Sequence, residues 1–153
     1  MAAPRSHDYT RIYKGKDGRV HLRYQDGREQ IMPKLPRQVR VEVLKISPDR
    51  HVAGWLVDES DCCTYYAIPL SLVLVRGNVR RIVRPGQLIW DWCFVKKGKQ
   101  VAVASGAVHG ANIPVLGLFD ATTGKLLASA YPGKSCSYPS WAACLLPWNC
   151  ISR

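Results

Sequence analysis

Two stretches of the chain echo one another, and the echo limits the fold more than any other feature. Setting SPDRHVAGW over VKKGKQVAVA places a polar turn ahead of Val52-Ala53 and, about 49 residues later, ahead of Val101-Ala102. Setting IPLSLVLVRGNVRRI over IPVLGLFDATTGKLL pairs Ile68-Pro69 with Ile113-Pro114, about 45 residues on. A unit of that length cannot bury its own apolar face and must stack on a neighbour.

Within each unit the hydrophobic period is two. Val39, Val41 and Val43 alternate with Arg40 and Glu42, as Val20, Leu22 and Tyr24 alternate with Arg19, His21 and Arg23 nearer the N-terminus. Such alternation marks half-buried strands. Asp17-Gly18 and Asp26-Gly27 supply the positive φ of hairpin turns, and RGN and TTGK do so later. The expected strands run roughly over 39–46, 51–57, 66–75 and 79–84 in the first unit, and over 88–95, 99–105, 113–119 and 125–130 in the second. N-terminal hairpins over 10–32 precede them. No segment of helical length carries an apolar stripe, so helix is expected to be scarce.

Four short strands repeated at this period are the signature of stacked blades. SPDRHVAGW, and FVKKGKQVAV followed by LFDATTGKLL, resemble the blades of WD-repeat and TolB-like β-propellers, in which a polar turn, often Ser-Pro-Asp-Gly, precedes a Val-Ala strand. The resemblance covers residues 39–131. Arg50 stands where that pattern has glycine, and Lys96-Lys97 replaces Pro-Asp. CCT, IWDW and HG are also similar to elements of uncharacterised bacterial proteins, a likeness that implies no activity. The expected fold is all-β: propeller-like stacked antiparallel four-stranded sheets, two blade-like units (39–84 and 88–131) plus an N-terminal β-meander, in a single domain over 1–153.

Two units leave apolar sheet faces to be covered. The N-terminal hairpins, the tail over 133–153, or further copies of the chain in a homo-oligomer are the three candidates, and the expectation is the hairpins plus the tail. SCSYPSWAACLLPWNC carries Trp141, Leu145, Leu146 and Trp148 without a period. That suits an irregular cover.

The connection between the second and third strands is longer by four residues in the first unit, and the extra length, DESDCCTYY, gathers cysteines and tyrosines. Loop length beyond a turn's need tends to serve binding. In an up-and-down sheet these connections share a rim with the entries into each first strand. Cys62, Cys63, Tyr65, Tyr66, Trp90 and His109 are therefore the expected ligand-binding residues. Arg50, Arg76, Lys96, Lys97, Lys99 and Lys125 are expected on the opposite rim. Trp90 and Trp92 are expected on one face of their strand, with Ile89, Asp91 and Cys93 on the other.

Two thiols and an imidazole suit zinc, but adjacent cysteines in extended backbone do not both face one centre, so no metal and no cofactor is expected. GxSxG, HExxH and a phosphate-binding glycine loop are all absent from the sequence. The chain is accordingly read as a non-enzymatic binding or protein-interaction module for an unidentified protein or small ligand. No apolar run reaches the ~18 residues of a membrane span. Six cysteines without a CxxC fit disulfides in an oxidising compartment, so the expected location is periplasmic or secreted, although MAAPRSHDYT has no signal-peptide core. The net charge of +11 is spread along the chain rather than gathered in an arm. It supports one alternative, a cytosolic basic protein binding nucleic acid or another polyanion.

Overall fold

The structure is a computed structural model and describes residues 6–62, 64–107, 113–132 and 137–145. Among them the chain is all-β. A first sheet holds β1 (Tyr9–Lys14), β2 (Val20–Tyr24) and β3 (Glu29–Ile31). A second holds β4 (Gln38–Ile46), β5 (Ala53–Glu59), β6 (Ile68–Arg76) and β7 (Val79–Val83). The third holds β8 (Leu88–Val95), β9 (Gln100–Gly106), β10 (Val115–Asp120) and β11 (Leu126–Ala130). Every pairing is antiparallel and each sheet keeps its strands in chain order. The meander follows from the short polar turns, since Gly18, Gly27, Gly77 and Gly124 all sit at the positive φ that such turns demand.

The second sheet is the centre of the stack and is apolar on both sides. One face, with Val41, Trp55, Val57, Val73 and Val75, packs on Tyr9, Val20, Leu22 and Tyr24 of the first sheet. Tyr9 ties the two together: its amide donates to the Arg50 carbonyl at 2.8 Å, and its hydroxyl accepts from the Gly77 amide at 3.0 Å. Burial pushes the Tyr9 hydroxyl far above its ordinary pKa. The other face, with Val52, Leu56, Leu72 and Leu74, packs on Ile89, Trp92, Val101 and Val103 of the third sheet. The far side of the third sheet is covered by the tail. A 3-10 turn over Ser140–Ala142 brings Ala142 and Leu145 onto Cys93, Ala102, Ala104 and Leu116, and a Cys93–Cys144 disulfide spans a Cα separation of 6.1 Å. Hairpins and tail are thus the covers. Leu146 and Trp148 lie outside the described residues.

The two four-stranded sheets have like topology and point the same way, with the turn after β8 resting on the turn after β4. A Cβ on Gly98 would fall 2.4 Å from the Cβ of Ser47. One detail of the sequence alignment is corrected. Val52 and Val101 enter the shared core from opposite sides, so they are not equivalent positions of stacked copies. The registers Leu56↔Leu72 and Ala104↔Leu116, each pair facing away from the preceding sheet, make Leu56 equivalent to Ala104 and Leu72 to Leu116. That is one residue away from the alignment of Val52 with Val101 and of Ile68 with Ile113.

A second correction concerns the tryptophans. The β8–β9 ladder slips between Ile89 and Asp91, a bulge at Trp90, and a bulge shifts the parity of a strand. Ile89 therefore shares the inward face with Trp92, while Trp90 turns to the tail side and lies over Gly106. The indole of Trp92 is fully buried and donates to the Val43 carbonyl at 3.2 Å. Val43 is itself at φ 52, inside a bulge of β4.

Candidate functional site

β5 runs from the packed centre to the rim and ends on two acids, Asp58 and Glu59, each only 2% exposed. Buried carboxylates need partners, and arginines on β4 and at the ends of β4 and β7 supply them from outside. Arg40 reaches the Asp58 Oδ2 from Nε at 3.1 Å and from Nη2 at 3.0 Å. The Ser71 hydroxyl donates to Glu59 Oε1 at 3.0 Å and accepts from Arg84 Nε at 2.9 Å. Arg84 Nη2 and Arg37 Nη2 stand 3.5 and 3.8 Å from the same carboxylate. Glu42, on β4, is held above the usual carboxylate range by burial and by the charge of Asp58. Much of the positive charge on this rim is thus already matched by acids beneath it.

Beside Arg84 the second and third sheets part. Trp92 on β8 touches Gly54 of β5 and Leu74 of β6, so the third sheet sits displaced sideways across the second. Its outer strands extend past β7, and the step leaves a groove of about 550 Å³, within the range of ligand clefts. Its floor is the inward face of β9, β10 and β11: Val103, Ser105, Gly117, Phe119, Leu126 and Ser129. Ile82, Val83, Arg84, Pro85 and Gln87 form the opposite wall. Gly117 keeps the floor low. A Cβ there would fall 2.7 Å from the Phe119 ring, whereas the equivalent position of the second sheet holds the fully buried Val73.

The residues expected from sequence are placed as follows. Tyr65 is fully exposed and Tyr66 is 56% exposed, both in the β5–β6 connection. Cys62 is exposed in the same loop and is disulfide-bonded to a partner outside the described residues. Cys63 and His109 lie outside the described residues as well. Trp90 is half-buried on the tail side of the third sheet, turned away from the groove. No cluster of His, Cys, Asp or Glu fit to hold a metal occurs among the described residues, and no described helix is long and apolar enough to cross a membrane.

Sequence reasoning missed the groove residues. A signal was present in Gly117, a glycine inside a strand, which marks a close approach or an opening. The sideways step between sheets, which makes that glycine matter, has no local signature. No protein-family model matches the chain and no curated protein matches it.

Proposed function

We propose that the protein is a non-enzymatic binding or protein-interaction module, of propeller-like ancestry and working outside the cytoplasm of a bacterium, with the groove between β7 and β10–β11 as its working surface. The observation that carries this reading is an open groove whose floor mixes apolar side chains, Val103, Phe119 and Leu126, with the hydroxyls of Ser105 and Ser129, and whose wall adds Arg84 and Gln87. That is the composition of sites that orient a ligand while burying most of its surface. The Cys93–Cys144 disulfide supports the compartment, because such bonds persist where thiols are not kept reduced. The exposed Tyr65 and Tyr66 loop, at the end where Arg84 stands, is a second contact surface.

The alternative is a cytosolic protein that binds nucleic acid or another polyanion through its net charge of +11. The engagement of Arg37, Arg40 and Arg84 with buried acids weighs against it. A fragment screen read by amide chemical shifts, with duplex DNA titrated in parallel at low salt, separates the two. The groove reading expects shifts at Ile82, Gln87, Ser105, Gly117 and Ser129. Shifts confined to Tyr65 and Tyr66 would move the site to that loop, and tight, salt-sensitive DNA binding would favour the polyanion reading.

A further inference from the structure

At the end of the stack opposite Asp58 and Glu59 the chain turns four times, over residues 47–52, 76–79, 96–99 and 120–125, and these turns touch. The Ala121 amide donates to the Lys99 carbonyl at 3.0 Å, Gly98 rests on Ser47, and Tyr9 bonds both Arg50 and Gly77. Six cations stand here, Arg50, Arg76, Lys96, Lys97, Lys99 and Lys125, all of them exposed. None of the six enters an ion pair among the described residues. Against them the four turns hold two acids, Asp49 and Asp120, each folded back into its own turn. Asp49 Oδ1 accepts from the Ser47 hydroxyl at 2.5 Å and the His51 amide at 3.1 Å, and Asp120 Oδ1 accepts from the Thr122 and Thr123 amides at 2.9 and 2.8 Å. The acids of the adjoining first sheet are paired as well, Asp8 with His51 at 3.2 Å and Asp26 with Arg28 at 2.7 Å.

Three of the six cations sit in strained backbone. Arg50, Lys96 and Lys97 have φ of 65, 50 and 57, in the left-handed region that favours glycine. Among the described residues only one other non-glycine residue, Val43, has a positive φ, and it lies inside a sheet bulge. Strain of this kind gathers where a side chain serves function rather than folding.

We propose that this end is a membrane-contact surface, which holds the protein against an anionic bilayer by charge and without insertion. The site is independent of the groove. A protein partner would call for apolar or aromatic anchors, and Val79 is the one large hydrophobic exposed in the four turns. Nucleic acid would call for an element that enters a groove or a ring that stacks on bases, and the turns carry no tryptophan, tyrosine or phenylalanine. An anionic headgroup layer needs neither. It is flat, and so is this end: stacked sheets lie ~10 Å apart and alternate strands of one sheet lie about as far apart, which spreads the cations over a broad face. A hollow of about 340 Å³ lined by His7, His51, Arg76 and Gly77 opens on the same end and has room for one phosphate headgroup. Each lysine or arginine close to an anionic surface strengthens attachment about fivefold.

The test is co-sedimentation of the full chain with vesicles of phosphatidylcholine alone, or of equal parts phosphatidylcholine and phosphatidylglycerol. The protein is expected to sediment with the anionic vesicles at low salt, to be released as salt screens the contact, and to leave the neutral vesicles untouched. A Lys96→Gln, Lys97→Gln double variant is expected to lose tenfold or more in affinity. Arg50→Gly is expected to lose about fivefold without a lower melting temperature. A Lys14→Gln, Lys16→Gln double variant removes the same charge from two exposed lysines at the β1–β2 turn, on the opposite end, and is expected to bind as the wild type does. Equal losses in the two double variants would reduce the effect to bulk net charge and overturn the proposal, as would equal sedimentation with neutral vesicles. Duplex DNA titrated in parallel gives the remaining outcome: tighter binding to DNA than to anionic vesicles, lost in the Lys96, Lys97 variant, would name nucleic acid as the occupant and overturn the bilayer. Fragment shifts at Gly117 and Ser129 are read separately, so the groove stands or falls apart from this surface.

Discussion

The ring of Trp92 lies where the Cβ of Gly54 would be: a methyl added to Gly54 would fall 2.7 Å from Cη2 of that indole and 2.9 Å from Cδ2 of Leu74. The second and third sheets are keyed together at this point. Gly54 leaves the hollow, Trp92 fills it, and Lys45 closes over the indole with Nζ 4.9 Å from the ring centroid and 2.5 Å from the Trp92 carbonyl. Trp92→Ala is expected to cost about 3–5 kcal/mol, as large-to-small changes of buried aromatics do. Gly54→Ala is expected to cost about 1–3 kcal/mol by overpacking. Urea midpoints measure both. An unchanged midpoint for Gly54→Ala would mean that the two sheets slide freely past one another.

The Cys93–Cys144 bond pins the tail across the third sheet and closes a separation of 51 residues. Its removal by a Cys93→Ala, Cys144→Ala double variant is expected to lower stability by about 2–4 kcal/mol. Amide exchange is expected to speed up first at residues 140–145, where Ala142 and Leu145 would lose their hold on Ala102 and Leu116. Uniformly faster exchange over all three sheets would instead make the disulfide a global staple rather than a tail clamp.

Arg50 occupies the position where the resembling blade turns carry glycine, and its φ is 65, in the left-handed region. The conformation costs a side-chain-bearing residue about 1–2 kcal/mol, and glycine returns part of that through its freer unfolded chain. Arg50's own hydrogen bonds run from its amide to the Ser47 carbonyl at 2.9 Å and from the Tyr9 amide to its carbonyl at 2.8 Å, both main chain, so substitution leaves them in place. Arg50→Gly is expected to raise stability by up to about 1 kcal/mol. A melting temperature below that of the wild type would show that the arginine side chain contributes a contact of its own.

Glu42 gives a pH signature of the opposite sign to that of an ordinary ion-paired acid. Burial and the neighbouring Asp58 hold its carboxyl above the usual range, so the folded chain binds that proton more tightly than the unfolded chain does. Its contribution to stability therefore falls as pH rises from the ordinary glutamate value through the raised one. Glu42→Gln is expected to have a higher denaturant midpoint than the wild type at neutral pH, with the difference closing below about pH 4, where Glu42 is protonated in both states. Parallel curves across the whole range would remove the Glu42–Asp58 repulsion as a factor.

The alternation in RVHLRY and VRVEV, the Asp-Gly turns and the doubled unit determined an all-β chain, the strand boundaries to within a few residues and the two like-ordered sheets, because each of these is set by residues adjacent in sequence. Tertiary structure decided which face each strand turns where a bulge intervenes: at Trp90 one extra residue sends that indole to the tail side and returns Ile89 to the core. A side-chain period of two makes any single-residue slip an inversion, and nothing local marks where packing will place the slip. The groove is further still from the sequence. It exists because the Trp92–Gly54 contact sets the third sheet sideways on the second, so that Gly117, Leu126 and Ser129 find no strand of the second sheet above them. That offset is the outcome of fitting whole apolar faces together, and it belongs to no segment of the chain alone.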